Sequence, residues 1–222
     1  MLVQTRVEGF REYSKIDTLF ERDPKTFQVD ESKLKQPVLG TISTWDVTEK
    51  IDGTNIRVML SPEGEVSFGG RTNAAQIPAD LVKYLIATFP SDLLRQVLWI
   101  DGTPQEAILY GEGYGPGIQK GGGLYRADKA FILYDVLIGG KWWLERGSVD
   151  DISRKLGIQS VPFLGLMSLQ EIVDTVRKPF PSRIGRAMAE GIVARPIRTL
   201  FDRAGERVII KLKTKDFQLG KR

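Results

Sequence analysis

Trp45-Asp46-Val47-Thr48-Glu49-Lys50-Ile51-Asp52-Gly53-Thr54-Asn55-Ile56-Arg57-Val58-Met59-Leu60, followed by Ser61-Pro62-Glu63-Gly64 and then Glu65-Val66-Ser67-Phe68, decides the fold class. Trp45 and Val47 alternate with polar neighbours, as do Ile56, Val58 and Leu60, and Val66 and Phe68. A period of two is the pattern of strands with one face buried. The Ser-Pro-Glu-Gly turn between the last two runs predicts a hairpin. Outward from this block, Leu81, Val82, Leu85, Ile86 and Phe89 share one face of a helix expected over 79–89, opened by Pro78. Residues 107–110 and 131–138 read as strands joined by a glycine-dense loop, and 191–194 and 208–212 as late strands. Ser148 with Asp151 is expected to cap a helix ending near Gly157, and Ser168-Leu169-Gln170-Glu171 is a capping box opening a helix through Val176. Ile16, Leu19 and Phe20 have helical spacing within 10–20, and 23–37 reads as loop. Strands and helices mix without regular βαβ alternation, so the expectation is α+β with antiparallel sheets. No repeat, low-complexity block or linker divides residues 1–222, which predicts a single domain.

Of the 222 residues none is Cys and none is His. Disulfides, thiolate zinc sites, cysteine nucleophiles, Ser-His-Asp triads and HExxH enzymes are therefore excluded. A covalent catalyst must be Lys, Ser, Thr, Tyr, Asp or Glu. A metal site must be built from oxygen, which favours Mg²⁺ or Mn²⁺. The opening residues show neither an apolar run nor a cleavage site, and no stretch is long enough to span a bilayer, so a soluble chain without a membrane partner is expected. Lys and Arg total 32 against 28 Asp and Glu. The excess gathers at the end, where Arg195, Arg198, Arg203, Arg207, Lys211, Lys213, Lys215, Lys221 and Arg222 face only Asp202, Glu206 and Asp216. Such a segment suits a polyanion such as nucleic acid, although a solvated charged strand and tail fits the same count.

Several short segments could do chemistry. Lys50-Ile51-Asp52-Gly53 fits a lysine nucleophile attacking a nucleotide α-phosphate, with Gly53 permitting close backbone approach; it also fits a turn with an exposed lysine. Gly69-Gly70-Arg71-Thr72 offers a guanidinium for phosphate, or a surface turn. Tyr110-Gly111-Glu112-Gly113-Tyr114-Gly115-Pro116-Gly117-Ile118-Gln119-Lys120 is neither a Walker A loop nor a dinucleotide fingerprint. Its glycines suggest close ligand approach, with the Glu112 carboxylate available to a ribose hydroxyl or a metal. Tyr134, beside Asp135, could stack on a base or pack in a core. Glu190-Gly191-Ile192-Val193 places a carboxylate at a strand start, suited to a metal. Lys211 and Lys213 alternate on one strand face, an unfavourable pairing unless an anion lies between them.

Taken in order, K-x-D-G, G-R-T, G-E, Tyr-Asp on a strand, E-G-I-V and K-x-K resemble the covalent nucleotidyltransferase superfamily of polynucleotide ligases and mRNA-capping enzymes. Gly115-Pro116-Gly117-Ile118-Gln119-Lys120 and the opening Tyr13-Ser14-Lys15-Ile16-Asp17-Thr18-Leu19-Phe20 look like the phage-type RNA ligase 2 family and its opening helix. The resemblance runs from about Phe10 to Phe217.

It implies the nucleotidyltransferase (ATP-grasp-like) ligase fold of antiparallel sheets flanked by helices, and an ATP-dependent RNA ligase that joins 5′-phosphate and 3′-hydroxyl ends. Lys50 would be the adenylylated nucleophile, with Glu49 near the adenine. Asn55 would contact phosphate, and Arg71 the ribose or leaving side. Glu112 would bind ribose or a metal, Tyr134 would stack on adenine, and Glu190 would organise Mg²⁺ or Mn²⁺. Lys211 and Lys213 would neutralise the α-phosphate. Seven residues follow Lys215, so neither an OB domain nor a helical C-terminal domain is expected. The chain would act as a bare adenylyltransferase module, a cytoplasmic monomer open to a phage origin, holding RNA through its own surface or an accessory end-binding protein. A minimal DNA ligase and a non-catalytic nucleic-acid-binding module are the competing readings.

Overall fold

A computed structural model describes residues 9–26 and 28–218. In chain order the elements are β1 (Asp17–Thr18), β2 (Phe20–Arg22), β3 (Val29–Leu34), β4 (Trp45–Lys50), β5 (Thr54–Leu60), β6 (Val66–Gly69), α1 (Ala79–Thr88), α2 (Ser91–Leu98) and β7 (Ala107–Tyr114). They continue with α3 (Gly122–Tyr125), β8 (Ala130–Ile138), β9 (Trp142–Trp143), α4 (Arg146–Lys155), β10 (Gln159–Ser160), β11 (Phe163–Met167), α5 (Leu169–Val176), β12 (Gly191–Pro196) and β13 (Ile210–Lys213). Every strand pair is antiparallel except β1 with β13 and β10 with β8. The α+β expectation is met. No helix among the described residues is long and apolar enough to cross a membrane.

The chain forms two compact units. One comprises Asp52–Val161 with described residues 9–13. Its sheet has the order β10-β8-β7-β5-β6, with β9 on β8. Ile56, Val58 and Leu60 of β5 point to one face and pack with Leu81 and Leu85 of α1, Leu94 and Leu98 of α2, and Val149 of α4. The expected β5–β6 hairpin is present, with Val58 opposite Phe68. The other unit comprises Ser14–Ile51 and residues 162–218. It holds a sheet of order β1-β13-β12-β4-β11 and the small β2–β3 pair. Trp45, Val47, Ile192, Ala194, Ile210 and Leu212 fill its core with Ile172, Val173 and Val176 of α5.

Several local expectations are corrected. Residues 10–20 are not helical: β1 pairs with β13, Asp17 opposite Ile210, and Leu19 and Phe20 enter the second core. Strand pairing and burial override a helical spacing carried by three residues. Part of the expected 23–37 loop is β3, paired with β2. The helix near Gly157 begins at Arg146 behind Glu145, so Ser148 lies inside it and does not cap it. On α1, Ile86 is exposed while Leu81, Leu85 and Phe89 are buried. The last strand begins at Ile210. The glycine-dense segment is half strand, since β7 runs to Tyr114. The Ser168–Glu171 capping box forms as read, with the Ser168 N–H donating to Glu171 Oε2 at 2.7 Å and the Glu171 N–H to Ser168 Oγ at 3.3 Å. Lys221 and Arg222 of the basic segment lie outside the described residues.

The glycines of 111–122 serve the chain's packing on itself. A Cβ at Gly111 would lie 2.2 Å from the Phe131 ring and 2.4 Å from the Ile132 carbonyl; one at Gly122 would lie 1.9 Å from the Gly115 carbonyl. Gly147 in α4 has nothing within 4 Å of such a Cβ. Gly111→Ala should therefore destabilise the protein by about 2 kcal/mol or more through overpacking. Gly147→Ala should be neutral or add about 0.5 kcal/mol. Urea unfolding of both variants checks the contrast.

Candidate active site

In the second unit three adjacent strands bring the expected cationic residues together. Gly191 of β12 lies opposite Lys50 of β4 on one side and Lys213 of β13 on the other, and Val193 lies opposite Lys211. Since side chains alternate across a sheet, Lys50, Lys211 and Lys213 share the face opposite the core. Gly191 is required for this alignment. A Cβ there would lie 2.0 Å from the Leu212 carbonyl and 2.7 Å from the Lys213 Cα, so any larger residue would push β13 away.

Glu190 stands immediately before Gly191. Its carbonyl accepts the Thr214 N–H at 3.0 Å. Its carboxylate is ligated twice: Lys50 Nζ lies 2.6 Å from Oε2, and Lys213 Nζ pairs with Oε1. Burial pushes the Glu190 carboxyl pKa up, but Lys50 and Lys213 outweigh it, and the net displacement is downward. Lys211 is half-buried and forms no ion pair among the described residues. Burial is the first cause that lowers its ammonium pKa; Lys213, Lys50 and Lys15 repel it further, against some relief from Glu190. Lys50, Lys211 and Lys213 thus gather about the Glu190 carboxylate, which leaves a concentrated positive field for an anion.

Glu49 behaves differently. One residue out of phase with Lys50, it turns to the core face and is 1% exposed. Its Oε2 accepts the Arg183 N–H at 2.8 Å and its Oε1 accepts the Ser182 hydroxyl. The residues of this unit that were expected at the site therefore divide: Lys50, Glu190, Lys211 and Lys213 converge, and Glu49 is held by the 182–183 turn.

In the first unit Asn55 of β5 lies directly opposite Glu112 of β7. The β7–β8 register slips between Tyr110 and Gly111: Tyr110 faces Asp135 and Gly111 faces Leu133, so Tyr134 is left unpaired as a bulge. Bulges re-aim side chains and shift the face pattern. Phe131 and Leu133 precede it in the core and Val136 follows it there, a change of phase. The Tyr134 hydroxyl is thereby brought to Asn55, whose Nδ2 donates to it. Burial first, then Tyr13, Glu112 and Asp135, hold that phenol neutral by raising its pKa well above the usual value. The buried Asn55 Oδ1 has no partner, so this amide keeps one hydrogen-bonding position for something else. Gly53 approaches the same strand closely, since a Cβ there would lie 2.3 Å from the Gly113 carbonyl.

The wall behind Tyr134 contains Arg57, which no motif singled out, and Tyr13, Tyr110 and Asp135, whose motifs gave them no supporting role. Tyr13 packs edge-on against it at 5.1 Å between centroids and donates its hydroxyl to Asp135 Oδ2 at 2.6 Å. Tyr110 donates to the Arg11 carbonyl at 2.7 Å, which secures the 10–13 strap. Arg57 is wholly buried. Its Nε donates to the Gly70 carbonyl and its Nη2 to Asn73 Oδ1, both at 2.8 Å. The turn carrying exposed Arg71 is thus pinned on both sides. Strict alternation along β5 assigns Arg57 to solvent, and only the strap that covers it reveals otherwise.

Among the described residues no group of three or more carboxylates is placed to hold a metal ion. A small divalent cation that retains waters and phosphate ligands needs only one or two carboxylates.

A family model described as RNA ligase matches residues 43–213. Solved structures of similar fold include an apo mutant of a Naegleria gruberi RNA ligase, 16% identical, covering 94% of this chain and 57% of that one with a TM-score of 0.66. A mutant Naegleria gruberi RNA ligase with ATP and Mn is 18% identical, covers 91% and 60%, and scores 0.64. One with AMP and Mn is 17% identical, covers 91% and 60%, and scores 0.63. The chain thus spans under two thirds of those proteins and shares their fold.

The lysine cluster has a consequence for stability. A lysine whose native pKa is lowered binds fewer protons folded than unfolded once pH exceeds the native value, so stability rises with pH up to the ordinary lysine value of 10.5. Lys211→Met should remove that slope and leave a Tm at or above wild type at neutral pH. Thermal unfolding of both proteins between neutral pH and the ordinary lysine range tests this; a variant with the same slope as wild type would contradict it.

Proposed function

Because the chain belongs to the RNA ligase family, we propose that it carries out the ATP-dependent nucleotidyl transfer of an RNA ligase, sealing 5′-phosphate and 3′-hydroxyl ends at breaks in an RNA-containing duplex. The observation that carries this reading is Lys50 beside half-buried Lys211, which has no ion pair among the described residues, with Glu190 shared between Lys50 and Lys213. A binding surface for RNA alone has no use for a reactive amine seated so deeply on a sheet. An enzyme that makes a phosphoramidate needs both the amine and the cations that receive a phosphate.

In the first step the Lys50 Nζ lone pair attacks the α-phosphorus of ATP. An N–P bond forms, the bridging P–O bond to the β-phosphate breaks, and pyrophosphate leaves. The amine proton must be lost to solvent before attack, and the Glu190 carboxylate accepts the hydrogen bond from Nζ that orients the amine. AMP then passes to a 5′-phosphate oxygen with release of Lys50. Attack by the 3′-hydroxyl forms the phosphodiester and expels AMP. Each step is displacement at phosphorus, so catalysis rests on positioning and charge neutralisation. Lys211 and Lys213 supply fixed positive charge near Lys50, and Arg71 supplies a guanidinium on its pinned turn.

Solved Naegleria gruberi RNA ligases hold ATP or AMP with Mn, which supports ATP and a divalent ion here. Bound Mg²⁺ or Mn²⁺ would withdraw charge from the phosphates, with Glu190 as a protein carboxylate in the unit that carries Lys50. The buried Asn55 Oδ1, which has no hydrogen-bond partner among the described residues, supports a ligand beside Tyr134. An amide rotated about its last torsion would accept the Tyr134 O–H and turn its own N–H toward a phosphate or ribose oxygen. The 222 residues serve as an adenylyltransferase module that engages RNA as a monomer.

Incubation with α-labelled ATP and Mg²⁺ should leave label on the denatured protein, and Lys50→Ala should abolish it. Label retained by that variant would place the nucleophile elsewhere. Sealing of nicked RNA compared with nicked DNA then separates an RNA ligase from a DNA ligase.

Tyr134→Leu should weaken ATP binding by about 1–3 kcal/mol, the range for loss of base stacking. Tyr134→Phe should lose less, because the ring area is kept. Equal KM values for ATP in both variants and wild type would exclude the stacking role.

A further inference from the structure

Between β12 and β13 the chain runs out and back as a hairpin over residues 197–208, in the unit that carries Lys50. Phe201 pairs antiparallel with Arg207. The Val208 N–H donates to the Leu200 carbonyl and the Asp202 N–H to the Glu206 carbonyl, both at 2.8 Å. The Asp202 carboxylate accepts the N–H groups of Ala204 at 2.8 Å and Glu206 at 2.9 Å, and Gly205 adopts a φ of 77°. The tip is therefore a stiff, pre-organised turn whose acidic side chain is engaged inside it.

What the hairpin displays is unusual for a solvated turn. Residues 197–206 are all exposed, yet they include Ile197, Leu200 and Phe201, at 48%, 44% and 52% exposure. Large apolar groups concentrated in one exposed segment mark an interaction surface, since they add nothing to either core. The charges around them select the partner. Arg198 and Arg203 are exposed and Arg207 half-exposed. Of the two acids, Asp202 is spent on the turn, and Glu206 accepts the Ser14 hydroxyl at 2.5 Å. Ser14 is followed by exposed Lys15, whose charge reaches Lys211. An aromatic and aliphatic strip set among arginines matches a ligand with both anionic backbone and flat apolar faces.

We propose that the 197–208 hairpin is an RNA-binding arm, in which Phe201 stacks on a base of the substrate and Arg203, with Arg198, pairs with neighbouring phosphates. This deepens the ligase reading and rests on it for the identity of the polyanion. A rigid turn keeps the ordering cost of binding low. Stacking on an aromatic ring tolerates any base, as suits an enzyme that joins ends of arbitrary sequence.

The test uses the full chain with Phe201→Ala, Phe201→Trp and Arg203→Glu. The probe is a fluorescein-labelled RNA duplex whose nick carries a 5′-hydroxyl, so that binding is read without sealing, by anisotropy across a monovalent salt series. Phe201→Ala should weaken binding about fivefold or more and Phe201→Trp should not, because the indole also stacks. Arg203→Glu should weaken binding and flatten the slope of log affinity against log salt by about one. Lysyl-AMP formation should stay within about twofold of wild type in all three, since none of these side chains belongs to the lysine cluster. Wild-type affinity and slope in both Phe201→Ala and Arg203→Glu would overturn the proposal. So would unchanged RNA affinity with loss of a dimer in light scattering, which would make the hairpin a self-association face. Loss of lysyl-AMP formation in step with RNA affinity would also overturn it, by tying the hairpin to the ATP step. If wild type forms no lysyl-AMP while the variants still lose RNA affinity, the ligase reading fails and the arm stands.

Discussion

The carboxylate of Glu190, shared between Lys50 and Lys213, is the interaction on which the rest of the second unit depends. Lys50 of β4 and Lys211 and Lys213 of β13, turned toward one face on either side of β12, would repel one another, because like charges side by side on a sheet are unfavourable. The Glu190 carboxylate among them offsets part of that repulsion. It can reach both neighbours only because Gly191 lets β13 approach β12 with no side chain between them. The compensation is partial: Lys211 remains half-buried without an ion pair among the described residues, held at a cost that a globular fold has no reason to accept. Strain of this electrostatic kind is relieved by a ligand that brings negative charge, which links the packing of the sheet to its chemistry.

The first unit solves a different problem, that of presenting an aromatic ring and polar groups from an apolar strand. β8 is hydrophobic along nearly its whole length, and regular alternation would bury its odd-numbered residues on one face. The bulge at Tyr134 breaks that phase, brings its hydroxyl to Asn55 and returns Val136 to the core. Tyr13 and Asp135 then support the ring from behind, and Arg57 ties the Arg71 turn to the strap. Lys50 and Asn55 belong to different units, but only four residues separate them in the chain. The lysine of the cluster and the amide beside Tyr134 are thus encoded almost contiguously, while the residues that support each of them are scattered.

Much was legible from local pattern. The period of two in 45–68, the capping box at Ser168 and Glu171, and the α+β class all depend on short-range rules that tertiary context here reinforced. The expected helix over 10–20 failed because a parallel partner strand 193 residues further on claimed Asp17 and Thr18, which no local spacing could announce. The glycines of 111–122 suggested room for a ligand, and several of them instead make room for Phe131, Leu81 and the backbone at 115.

The sequence by itself determined the chemical inventory. Without His or Cys only a lysine or an oxygen nucleophile was open, and K-x-D-G, E-G and K-x-K named the members of the lysine cluster in chain order. The tertiary structure decided which of them meet. Register placed Lys50, Lys211, Lys213 and Glu190 together and sent Glu49, one residue out of phase, to the opposite face. Covalent order specifies neighbours along a strand, whereas neighbours across a sheet follow from register, and register is set by which apolar faces can be buried together.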